Sequence, residues 1–133
     1  MRKSNQTRKV FLFGVGAQKA GTSWLHEQLH CRQDADFGFC KEYHILDAIT
    51  LPQFENFRPR HAAPWKWRTW RRQRFLTDSS RYFDYFSRLL NKSSIQLTGD
   101  ITPSYSCLSP ETMAWVRQEF DQRNIATLSL IHI

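Results

Sequence analysis

Val10-Phe11-Leu12-Phe13-Gly14-Val15 is an unbroken apolar run, and the residues after it, Gly16-Ala17-Gln18-Lys19-Ala20-Gly21-Thr22-Ser23, combine two glycines, a lysine and two hydroxyls. A short apolar run bounded by glycine predicts a strand of a parallel sheet, buried on both faces. From Thr22 to Leu29 no breaker intervenes, and Leu25 and Leu29 stand four apart on one face, which predicts a helix of about two to three turns. Strand, glycine loop and helix in that order bring successive backbone N–H groups and a helix N-terminus to one point. That arrangement suits a bound phosphate.

The rest of the chain alternates in the same way. Ala35 to Cys40 is short, apolar and aromatic, and reads as a second strand followed by the polar cluster Lys41-Glu42-Tyr43-His44. Residues 52–78 read as an irregular basic and aromatic excursion or lid, with prolines at 52, 59 and 64 and basic residues alternating with Trp65, Trp67 and Trp70. Ser79 or Ser80 is placed to cap a helix reaching about Leu90 along the apolar stripe Tyr82, Phe83, Phe86, Leu89 and Leu90. Ile95 to Thr98 reads as a strand, and Gly99 to Tyr105 as the loop leaving it. Ser109 with Pro110 starts another helix, with Met113, Val116 and Phe120 on one face. Ile125 to Ile133 then reads as a buried strand. Strands alternating with helices predict an α/β fold, a P-loop-like parallel sheet flanked by helices. Residues 1–133 are expected to be the N-terminal portion of one domain, incomplete at the C-terminus and with a flexible start over 1–9.

Composition narrows the ligand rather than the fold. At 41% hydrophobic and 14% aromatic residues the chain is too rich in large side chains for disorder. A net charge of +7 favours an anionic ligand. Cys31, Cys40 and Cys107 are odd in number and lack metal-ligand spacing, which argues against a disulfide framework and fits a reducing, cytoplasmic setting. The run at Val10 to Val15 is too short to span a membrane and leads into a glycine loop rather than a cleavage site.

The glycine loop nearly fits the pattern of nucleotide triphosphatases, but Thr22 stands where their lysine belongs and the lysine sits inside the loop as Lys19. Gln18-Lys19-Ala20-Gly21-Thr22-Ser23-Trp24-Leu25 instead resembles the 5′-phosphosulfate loop of sulfotransferases that use 3′-phosphoadenylyl sulfate (PAPS). The resemblance implies that Gln18, Lys19, Ala20, Gly21, Thr22, Ser23 and Trp24 form the donor site. In that reading Lys19 neutralises the bridging oxygen as sulfuryl leaves, Thr22 and Ser23 bind the 5′-phosphate, and Trp24 stacks on adenine.

Lys41-Glu42-Tyr43-His44 resembles the Lys-Glu-x-His box of the heparan-sulfate-type and related bacterial branch of that family. This implies Glu42 as general base, Lys41 as a contact to the sulfonate or a partner of Glu42, and His44 as a group that orients the glutamate or is itself the base. Gly99-Asp100-Ile101-Thr102-Pro103-Ser104-Tyr105 is similar to the family's Gly-Glu-x-Thr-Pro-x-Tyr segment. It departs at Ile101, where the heparan-sulfate branch often carries a lysine. The family's 3′-phosphate segment, Arg-Asn-Pro, would follow a strand such as Leu128 to Ile133 and is not in this sequence.

The function so implied is sulfuryl transfer from PAPS to an acceptor hydroxyl, on a carbohydrate or another small molecule, with 3′-phosphoadenosine 5′-phosphate (PAP) as product and no metal. A P-loop kinase or triphosphatase, with an acidic ligand for Mg²⁺, is one rival. A nucleic-acid-binding module is the other: it would use Arg58, Arg60, Lys66, Arg68, Arg71, Arg72 and Arg74, a stretch without a carboxylate.

Overall fold

A computed structural model describes residues 8–15, 22–57 and 65–130. The loop residues Gln18, Lys19, Ala20 and Gly21 lie outside the described residues, as do the side chains of Thr22 and Ser23. Three strands, β1 (Val10–Gly14), β2 (Leu97–Ile101) and β3 (Ala126–Leu130), form a parallel sheet in the order β2-β1-β3. Leu12 pairs with Gly99 on one side and with Leu128 on the other. The α-helices are α1 (Thr22–His30), α2 (Leu46–Thr50), α3 (Trp67–Thr77), α4 (Ser79–Leu90) and α5 (Pro110–Gln122). Pro52–Phe57 and Pro103–Cys107 form 3₁₀ turns. The architecture is therefore an α/β sheet with flanking helices. None of the described helices is long and apolar enough to cross a membrane.

Alternation along β1 separates two layers, because successive side chains of a strand point to opposite faces. Phe11 and Phe13 enter the main core, where Phe11 stacks on Phe120 of α5 at 4.1 Å between ring centroids and meets Phe86 of α4 edge-on at 5.0 Å. Leu12 points the other way, into a smaller cluster with Phe37 and Ile101, lined by Leu25 and Leu29 of α1. Thus the apolar face expected of the first helix does pack on the sheet. The opposite side is less covered: Leu128 on β3 is 56% exposed, so among the described residues this strand, at one end of the order β2-β1-β3, is not the buried strand expected.

The second expected strand does not form. Ala35 makes a single parallel bridge to Leu97, and then Gly38, with φ of 77°, turns the chain away. A Cβ on Gly38 would lie 1.9 Å from the Tyr85 hydroxyl and 2.4 Å from that of Tyr43, so this turn has room for glycine alone. The 52–78 excursion also differs from its reading, since Trp67–Thr77 is an eleven-residue helix. Its packing combines the buried Phe75 and Leu76 with aromatic and guanidinium pairs: Arg74 lies over Trp70 at 4.7 Å, and Arg71 over Phe39 and Tyr85 at 5.1 and 4.9 Å. Such contacts can stabilise a helix without leaving a conventional apolar period in the sequence.

Two boundaries move. β2 runs through Gly99, Asp100 and Ile101, which had read as loop. The cap of α4 is Asp78, whose carboxylate accepts from the Ser80 backbone N–H at 3.1 Å, in place of either serine. By contrast, Ser109 caps α5 through the Thr112 N–H, with Pro110 at the first turn, as read.

Candidate functional site

The Lys41–Asp47 segment is fixed by a buried carboxylate at the C-terminal end of β2. Asp100 Oδ2 accepts from the hydroxyls of Tyr105 at 2.6 Å and Tyr82 at 2.8 Å. Its Oδ1 accepts from the Thr102 hydroxyl at 2.7 Å and, more loosely, from the Tyr43 N–H at 3.4 Å. Tyr105 in turn accepts from the Ile45 and Leu46 N–H groups at 3.2 and 3.4 Å. Burial pushes the Asp100 carboxyl up to about 6, although the hydroxyls of Thr102, Tyr105 and Tyr82 and the Tyr43 N–H pull it down. Asp100 thus replaces a backbone ladder for a segment that belongs to no strand.

Arg72 of α3 grips the same segment from the outside. Its Nε donates to the Tyr43 carbonyl at 2.7 Å, and a terminal nitrogen donates to the carbonyls of His44 and Phe57 at 3.2 and 3.1 Å. Between these two anchors His44 adopts φ of 52°, a left-handed conformation uncommon for a residue with a side chain. The strain presents its imidazole to three polar groups.

Those groups form a chain from the interior to the surface. Asp47, fully buried in the first turn of α2, places Oδ2 at 2.7 Å from His44 Nδ1 and accepts from the Ser104 hydroxyl at 2.5 Å. His44 Nε2 lies 3.3 Å from Glu42 Oε2. Side-chain exposure rises from 0% at Asp47 through 16% at His44 to 34% at Glu42, so Glu42 is the end open to solvent. Phe57 stacks on the imidazole at 3.8 Å and 6° between planes and restrains its rotation. Burial alone would lower the His44 pKa, but hydrogen bonds and charge from Asp47 and Glu42 outweigh it and raise the value. Burial likewise pushes Asp47 up, and the His44 and Ser104 contacts more than reverse it, leaving the carboxyl below its ordinary value.

The helix that follows the glycine loop approaches this chain. His26 of α1 is lowered first by burial and by His30, and then by the Lys41 charge, while the carboxylates of Glu27 and Glu42 oppose the shift. β1 ends at Gly14 and α1 begins at Thr22, so residues 16–21 join a strand's C-terminal end to a helix N-terminus. Trp24, at the start of α1, is 62% exposed and hence not a core residue. Among the described residues no group of three or more His, Cys, Asp or Glu side chains is arranged to hold a metal ion.

Of the residues singled out in the sequence, Glu42 and His44 come together, with Lys41 next to them. Asp100, Ser104 and Tyr105 lie in the segment similar to Gly-Glu-x-Thr-Pro-x-Tyr, which that resemblance sets beside the acceptor cleft, whereas Asp47 was not singled out and Arg72 was read only as one of a run of basic residues. Asp47 gave a signal, a carboxylate three residues after His44, but only the helical turn of α2 makes that spacing meaningful. Arg72 gave none, because its role depends on α3 passing over a segment almost thirty residues away. No family model matches the chain, and neither a curated protein nor a solved structure matches it.

Proposed function

We propose that this chain carries the donor loop and the acceptor-activating group of a PAPS-dependent sulfotransferase. The observation that carries the reading is the Asp47–His44–Glu42 chain at the C-terminal end of a parallel strand, where open α/β sheets bind their ligands. The sequence of the glycine loop, between a strand end and a helix start, supports an anionic donor. PAPS fits that position through Lys19, Gly21, Thr22 and Ser23, and the open face of Trp24 is free for a planar base.

In this mechanism Glu42 takes the proton of the acceptor hydroxyl as its oxygen attacks sulfur. A new O–S bond forms, and the bond from sulfur to the phosphate's bridging oxygen breaks. PAP leaves with the electron pair, and its charge is met by Lys19 and by the N–H groups at the start of α1. His44 is a positioning residue. Held by Asp47, it keeps the Glu42 carboxylate oriented. Lysine side chains meet the sulfonate charge in place of a metal.

Calorimetric titration with PAPS, and separately with ATP and Mg²⁺, tests the proposal. Wild type should bind PAPS; Lys19→Ala, shown folded by circular dichroism, should lose it; Glu42→Gln should retain it. A wild-type chain that prefers ATP-Mg²⁺, or binds neither nucleotide, would sink it.

A further inference from the structure

α3 and α4 are joined by Asp78 alone, so the second helix folds straight back along the first, with Arg71 over Tyr85 and Phe75 against Tyr82. Between them runs a groove of about 200 Å³ lined by Trp70, Arg71, Arg74, Phe75, Arg81 and Arg88. Four guanidiniums therefore share one small space. Among the described residues Arg81 alone of these four has a carboxylate near it, Asp78 at 3.6 Å, and both side chains of that pair are about half exposed. Among the described residues Arg71, Arg74 and Arg88 have no carboxylate within ion-pair distance. Like charges gathered without counter-charges repel each other, which an anion would relieve.

The aromatic floor makes this more than a solvated basic face. Arg74 lies over the Trp70 ring and Arg71 is placed over two rings, Phe39 and Tyr85. A guanidinium held over a ring keeps N–H groups that no carboxylate occupies, and such groups match the oxygens of a tetrahedral anion. Its side chain is also already restrained, so less freedom is lost when a ligand arrives. The volume decides the size of that ligand. Sites that enclose a whole small molecule measure roughly 300–1,000 Å³. This groove is smaller and suits a single charged group.

We infer that the α3–α4 groove is an oxyanion site that receives one phosphate or sulfate group, either free or at the end of a larger molecule. It is distinct from the glycine loop and does not depend on the sulfotransferase reading. The test is to follow the arginine Nε–Hε signals by NMR at pH 6.5 while titrating inorganic phosphate and, separately, phenyl phosphate, with ionic strength held constant by sodium chloride. The signals of Arg74 and Arg88 should shift and saturate. The exposed double substitution Arg74→Gln/Arg88→Gln, followed at the Arg71 and Arg81 signals that remain in the groove, should weaken binding at least tenfold, and Lys19→Ala should leave it unchanged. Tighter binding of phenyl phosphate identifies an esterified ligand, and equal or weaker binding identifies the free ion. Shifts that never saturate, saturation that survives the double substitution, or binding abolished by Lys19→Ala would each overturn the inference.

Discussion

Asp100, Asp47 and His44 divide the pH scale between them, because burial and hydrogen bonding act on each with a different balance. The Asp100 pKa, about 6 in the folded chain, exceeds the roughly 3.9 of an unfolded aspartate. Between those values the folded state keeps a proton that the unfolded state releases, so stability falls as pH rises from about 4 to 6, by up to roughly 3 kcal/mol. Asp100→Asn should flatten that slope in urea unfolding at successive pH values. Asp47 is shifted the other way: its contribution is present above about 3.9 and is lost as pH falls through its depressed value. The His44 contribution is full below about 6.5 and is lost as pH rises through its raised value. The His44–Asp47 pair is thus ionic between those two limits. NMR titration of the His44 ring in Asp47→Asn should show its pKa falling relative to wild type, while a wild-type value retained in the variant would show that Asp47 does not hold it up.

Elements whose signals are local were legible, and those whose signals come from elsewhere were not. β1 announced itself by a continuous apolar run, α4 by its stripe and α5 by the Ser109-Pro110 start, since each needs only its own residues to make sense. Ala35–Cys40 has strand composition, yet the hydroxyls of Tyr43 and Tyr85 converge on the Gly38 turn and keep it out of the sheet. α3 was hidden because only the adjacent Phe75 and Leu76 enter the core, and arginines over aromatic rings supply the rest of its packing. Asp100 made the end of β2 look like loop, since a carboxylate inside a buried strand is tolerable only with Tyr82, Tyr105 and Thr102 around it. The α4 boundary offers a direct check on this scale. Asp78→Ala removes the oxygen that accepts from Ser80 and should cost about 1 kcal/mol in chemical denaturation. Ser79→Ala should stay within about 0.5 kcal/mol of wild type, as expected of a substitution away from the cap. A larger loss from Ser79 than from Asp78 would return the cap to the serine.

Across the whole molecule, the site is a loop held against the sheet by long-range polar contacts, which is why its composition was readable and its assembly was not. Lys41-Glu42-Tyr43-His44 stands out as a string, but Tyr105 and Thr102 reach it from about sixty residues away, and Arg72 from almost thirty. No periodicity encodes such contacts. They predict a particular pattern of stability. The Ile45 and Leu46 amides have the Tyr105 hydroxyl as their acceptor, whereas the strand amides of β1 sit in the middle of a three-stranded ladder. Tyr105→Phe keeps the ring against Phe13 and deletes only the hydroxyl. It also takes one hydrogen bond from Asp100, so every amide that exchanges through global unfolding should lose about 1–2 kcal/mol of protection. If the hydroxyl fixes the site locally, Ile45 and Leu46 should lose more than that, exchanging at least tenfold faster than the β1 amides after the common shift is removed. Equal acceleration at β1 and at Ile45 would mean that the site opens only when the whole sheet does, making the Glu42–His44–Asp47 geometry as durable as the fold itself.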